Sequence, residues 1–60
     1  MIVNFYKREY KGDYKLLASR NIEHIPALKT TVVVNGQLFS IDRIYFNLEN
    51  CEYDIYMVRV

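Results

Sequence analysis

The residue types that most often do chemistry are scarce in this chain, which holds one histidine, His24, and one cysteine, Cys51. The two lie far apart in sequence, and no set of ligands shows the close spacing of a four-ligand zinc site. A nucleophilic cysteine needs a neighbouring base or a helix N-terminus to hold its thiolate. Cys51 instead sits among Glu49, Asn50 and Glu52, and the negative charge of the two carboxylates disfavours the thiolate. His24 reads as a surface histidine of a connector, hydrogen-bonded locally. Glu49, Glu52 and Asp54 gather near one turn, but no oxygen-ligand loop of the calcium-binding pattern surrounds them, and they read as solvated turn charges. Gly12 and Gly36 each stand alone in a turn, so no glycine-rich phosphate cradle is present. The expectation is a chain that is not an enzyme and has no cofactor and no metal.

Binding chemistry is better represented. Tyr6, Lys7, Arg8, Tyr10 and Lys11, continued by Tyr14 and Lys15, interleave aromatic and basic residues. Single-strand nucleic-acid platforms use that mixture, with rings stacked on bases and cations on phosphates. The plainer reading is alternation of core-facing and solvent-facing residues, with lysines guarding an edge strand. Only eight cations are present in the chain, with no ribonucleoprotein motif. A second candidate surface comprises Val33, Leu38, Tyr45, Tyr56 and Val58, which fall on the face of a sheet opposite its core. An apolar second face must be covered, either by closure of a barrel or by another protein chain.

The elements that position these residues are strands. Asn35-Gly36 is the strongest hairpin signal, because both residues tolerate positive φ and a type I′ turn needs two such residues. The turn sets Val34 opposite Gln37, Val32 opposite Phe39 and Thr30 opposite Ile41 on one face. Val33 then opposes Leu38 and Lys29 opposes Asp42 on the other, where the ion pair belongs in water. Apolar parity changes from Phe39 and Ile41 to Ile44, Phe46 and Leu48, which predicts a β-bulge at Asp42-Arg43 that bends the strand. A turn at Asn50-Cys51, or a loop over Glu49 to Glu52, sets Leu48 opposite Tyr53, Phe46 opposite Ile55 and Ile44 opposite Met57. Tyr45 would then oppose Tyr56, and Arg43 would oppose Val58.

Earlier in the chain, Ile2 to Glu9 reads as a strand, Lys11-Gly12-Asp13 as a turn, and Tyr14 to Asn21 as a second strand. A three-residue loop pairs Tyr10 with Tyr14, Glu9 with Lys15 and Tyr6 with Ala18, and is preferred for its charge pair. A two-residue loop would instead oppose Tyr6 with Leu17 and Phe5 with Ala18. From Asn21 to Lys29, Ile22, Ile25 and Leu28 are spaced for one helical turn, but Pro26 restricts Ile25. This stretch is expected to be a connector that tucks those three residues against the open end of the sheet.

Sixty residues make one domain, residues 1–60. A chain this small buries only about 60% of the surface it exposes when unfolded. Hydrophobic residues at 52% exclude a disordered tail. The first twenty residues carry five cations against two carboxylates, and the last twenty carry four carboxylates against two cations, so the chain is dipolar and not a polycation. A lone cysteine offers no intramolecular staple, which points to a cytoplasmic setting, and no apolar run suggests a signal peptide or membrane span.

Ile25-Pro26, Val32-Val33-Val34-Asn35-Gly36-Gln37-Leu38-Phe39-Ser40-Ile41, and the alternating Ile44, Phe46, Leu48, Tyr53 and Ile55 resemble short β proteins encoded by bacteriophages and prophages of Gram-positive bacteria. Ala27-Leu28-Lys29 departs from the acidic or glycine residues often found after the proline in such sequences. The resemblance covers about the last 36 residues. It implies a small accessory protein, with inhibition of a host system as one role, and carries no catalytic residue onto this chain. The combined expectation is an all-β, five-stranded antiparallel meander, strongly curled or closed as a small SH3-like barrel. It would bind a protein partner or itself as a homo-oligomer, with single-stranded nucleic acid as the alternative ligand and no membrane.

Overall fold

Asn35 and Gly36 form the turn that their residue types require. In the computed structural model, which describes residues 1–60, their φ angles are 51° and 77°, both in the left-handed region that a type I′ turn needs. The turn joins β3 (Thr31–Val34) to β4 (Gln37–Asn47). Val34 opposes Gln37, Val33 opposes Leu38 and Val32 opposes Phe39, as expected. The ladder runs on past the strand end, since the Lys29 N–H donates to the Ile41 carbonyl at 2.8 Å and the Ile41 N–H to the Thr30 carbonyl at 3.0 Å. Lys29 Nζ lies 3.9 Å from Asp42 Oδ1 on the solvent side.

Asp42 is the extra residue of the expected bulge: Ile41 opposes Met57 and Arg43 opposes Tyr56 on β5 (Glu52–Arg59), with Asp42 unpaired between. This single insertion lets Phe39, Ile41 and Ile44 face the same side although their parity differs. The hairpin beyond it closes earlier than expected. Ile44 opposes Ile55, Phe46 opposes Tyr53, and Tyr45 opposes Asp54, not Tyr56. Leu48 is in the loop and exposed. The cause is Asn47, whose Oδ1 accepts the N–H groups of Glu49 at 3.1 Å and Asn50 at 3.3 Å, starting the turn before Leu48. Because the shift is two residues, every side chain keeps its face.

The first hairpin, β1 (Ile2–Arg8) and β2 (Tyr14–Asn21), does not adopt the charge-paired register. Glu9 lies in the loop, its N–H bonded to the Asp13 carbonyl. Phe5 opposes Ala18, and beyond a bulge Tyr6 opposes Leu16, Lys7 opposes Lys15 and Arg8 opposes Tyr14. Burial decides this against the expected Glu9–Lys15 pair. Skipping Leu17 in the ladder turns both Leu17 and Ala18 toward the core side, and Leu17 packs against the buried cluster. An exposed ion pair contributes at most about 1 kcal/mol.

The expected meander is corrected in one respect that reorganises the molecule. The strand order is β2-β1-β5-β4-β3, and β1 runs parallel to β5, with Val3, Phe5 and Lys7 opposite Tyr53, Ile55 and Met57. The sheet is mixed, with β2 and β3 as its two edges. Pairing β1 with β5 joins their inward rows into one core of Val3, Phe5, Phe39, Ile41, Ile55 and Met57. A meander would have left Ile55 and Met57 on an edge strand. Residues 22 to 30 cross from one edge to the other without a helix. Ile22 and Ile25 pack against the core as expected, whereas Leu28 stays exposed.

The sheet curls into a half-barrel. Its edges are defended by brevity in β3, which has four residues, and by cations on the inward face of β2, Lys15 and Arg20. No helix is long and apolar enough to cross a membrane.

Candidate binding face

Residues paired across a sheet share a face, so the ladders place the outer side chains in rows. One row runs Ser19, Asn4, Asp54, Tyr45 across β2, β1, β5 and β4. The next runs Leu16, Tyr6, Tyr56, Arg43, and the next begins with Tyr14 and Arg8. The parallel β1–β5 pairing therefore merges two surfaces that are separate in sequence. Tyr6 and Tyr14 come from the aromatic–basic stretch, and Tyr45 and Tyr56 from the meander.

Tyr56 is the centre. Tyr6 stacks on it with ring centroids 5.1 Å apart and planes 16° from parallel. Tyr14 meets it edge-on at 4.7 Å and Tyr45 at 5.5 Å, both at 77°. Each contact is within the range in which aromatic pairs attract beyond their burial. Tyr6 and Tyr56 are half-buried, while Tyr14 and Tyr45 are 38% and 48% exposed. Arg43 Nη1 donates to the Tyr45 hydroxyl at 3.2 Å.

Charge is sorted along the strand direction of this face. Asn4 Nδ2 donates to Glu52 Oε1 at 2.8 Å and to Asp54 Oδ1 at 3.0 Å, while Ser19 Oγ donates to Asn4 Oδ1 at 2.6 Å. Glu52 and Asp54 form no ion pair; Arg8 forms none either, and Arg43 has only a 3.9 Å approach to Asp42. Acid thus collects at one end of the tyrosine cluster, Arg43 stands in its central row and Arg8 at the other end. Burial, then the nearby Asp54, raises both the Tyr6 and the Tyr56 hydroxyl above the ordinary tyrosine range. Both effects penalise the phenolate.

Other expected binding residues fall elsewhere. Lys7 and Lys15 oppose each other on the inner face beside Met57. Tyr10, fully exposed, and Lys11 belong to the loop between β1 and β2. The interleaved stretch is therefore divided between two faces and a loop. Val58 lies on the outer face opposite Ser40, while Val33 and Leu38 oppose each other at the β3 edge and are exposed. Leu16 and Asn4 join the face without having been singled out in the sequence, while Glu52 and Asp54, read there as solvated turn charges, and Arg43, expected opposite Val58, join it through the β1–β5 and β4–β5 pairings. His24 and Cys51 are exposed and apart, with Cys51 Sγ 3.7 Å from the Leu48 carbonyl. No group of three or more His, Cys, Asp or Glu side chains is placed to hold a metal ion.

Comparison with known proteins finds no matching family model, no matching curated protein and no matching solved structure.

Proposed function

We propose that this protein is a non-enzymatic binding module that recognises protein through its outer tyrosine face, and that its first partner is a second copy of itself. The observation that carries this reading is the enclosure of Tyr56 by Tyr6, Tyr14 and Tyr45 on a face that is otherwise open. Such a mound brings large apolar area with few rotors to freeze and hydroxyls that bond at a wet rim, the composition of interface hot spots. A second copy is favoured because the face is charge-sorted. A two-fold apposition sets the acidic end of one face over the basic end of the other, and an isologous contact must be self-complementary.

Base stacking finds less support. The broad face of Tyr6 is spent on Tyr56, and Lys7 and Lys15 lie on the other side of the sheet from Tyr6. The curled sheet serves in this reading as an SH3-like scaffold, and the resemblance to phage-encoded β proteins fits a small accessory role of this kind.

Light scattering tests the proposal. The wild type should dimerise at micromolar concentration. Tyr45→Glu, at a peripheral and half-exposed position, should be monomeric with an unchanged circular dichroism spectrum. A wild type that stays monomeric at high micromolar concentration overturns self-recognition.

A further inference from the structure

On the opposite side of the sheet, the two edge strands bound a cavity of about 230 Å³. Phe5, Ala18 and Arg20 line it from β1 and β2, Ile22 from the connector, and Val32 and Val34 from β3. Apolar side chains make six of its eight lining residues, and the one charged group among them is Arg20. Arg20 opposes the fully buried Val3, which puts its stem on the inner face. Its guanidinium donates from Nη1 to the Ser19 carbonyl at 2.8 Å and forms no ion pair with any carboxylate of the chain. A fork of donors therefore remains at the lip of an apolar cavity.

We infer that this cavity is a binding site for a small monocarboxylate with an apolar tail, of the medium-chain fatty-acid class. The size sets the ligand, because pockets for drug-sized molecules begin at about 300 Å³ and this one is smaller. The chemistry sets the head group. A planar guanidinium pairs a carboxylate through two parallel hydrogen bonds, while the tail replaces water against Phe5, Ile22, Val32 and Val34. The edges make the entrance: β2 and β3 share no ladder, so the chain can enter between them without breaking a backbone bond.

The site lies on the reverse of the tyrosine face and is tested independently of it. Octanoate, below its micellar concentration, is titrated into the full chain while amide resonances are followed. Saturable shifts are expected at Ala18, Arg20, Ile22 and Val32 to Asn35. Arg20→Gln should weaken binding by about tenfold or more, the scale of a charge-assisted hydrogen bond. Ala18→Leu should abolish binding by filling the cavity while leaving the guanidinium in place, and octanol should bind wild type no better than octanoate binds Arg20→Gln. Unsaturable shifts, shifts centred on the tyrosines, or equal octanoate affinity in wild type and Arg20→Gln would overturn the assignment.

Discussion

Tyr6 and Tyr56 stack 5.1 Å apart across the only parallel pairing in the sheet. Neither residue predicts the other in sequence, and one strand partnership makes them the middle of the tyrosine cluster. That partnership also completes the core on the reverse side, through Phe5 opposite Ile55. The same ladder thus positions the core on one side and the proposed binding face on the other.

Alkaline titration should reveal the pair. Because the folded pKa values of Tyr6 and Tyr56 lie above the ordinary value, the stability they contribute is fully present below about pH 10. It is lost as pH rises through the folded values, where the phenolates would form beside Asp54. Tyrosinate absorbance should show two tyrosines ionising above the ordinary tyrosine range. Tyr6→Phe should remove one late ionisation and make unfolding less steep in alkali.

Lys7 and Lys15 oppose each other directly, an unfavourable like-charge pair. Lys15→Glu should convert it to an attractive one, stabilising the fold by roughly 0.2–1 kcal/mol. A rise in melting temperature of a few degrees is the expected result, and it should shrink in high salt. Had Glu9 paired with Lys15, the same change would lower stability.

The parts of the fold legible in sequence were those written in neighbouring residues. Asn35-Gly36 specified its turn and register, and the parity change around Asp42 specified the bulge. The closing turn of β4 and β5 was misread by two residues because the capping side chain, Asn47, precedes the segment that looked like the turn. The β1–β5 pairing left no local mark at all, since a parallel partnership between distant strands needs no turn signal. Consequently the tyrosines were visible as two unrelated groups, and Asn4, Glu52 and Asp54 were not visible as a network.

Asp42 distinguishes the role of a residue from the role of a position. Asp42→Ala removes two exposed ion pairs at 3.9 Å and should cost no more than about 1 kcal/mol. Deleting Asp42 removes the bulge and forces either Phe39 and Ile41 out of the core or the half-buried Ile44 off it, the second choice also turning the outer Tyr45 inward. Since Phe39 and Ile41 are almost wholly buried, loss of either costs several kcal/mol, about 3 or more. In a domain of this size the deletion should leave the chain unfolded by circular dichroism at 25 °C, while Asp42→Ala melts near wild type.

Charge exchange provides the sharpest test of the tyrosine face. Arg8→Glu with Arg43→Glu makes the face acidic from end to end, and Glu52→Lys with Asp54→Lys makes it basic. Each double variant should be monomeric alone, because apposing two such faces brings like charges together where the tyrosines exclude water. An equimolar mixture should associate, since each acidic face then meets a basic one, and its affinity should fall as salt is raised. Asp54→Lys removes an acceptor from Asn4, so the basic variant must first be shown folded by its melting curve. Light scattering on the two variants and their mixture then decides. A mixture that remains monomeric while wild type dimerises would place the dimer contact elsewhere on the molecule, whereas recovery of the dimer mass would identify this face and its polarity together.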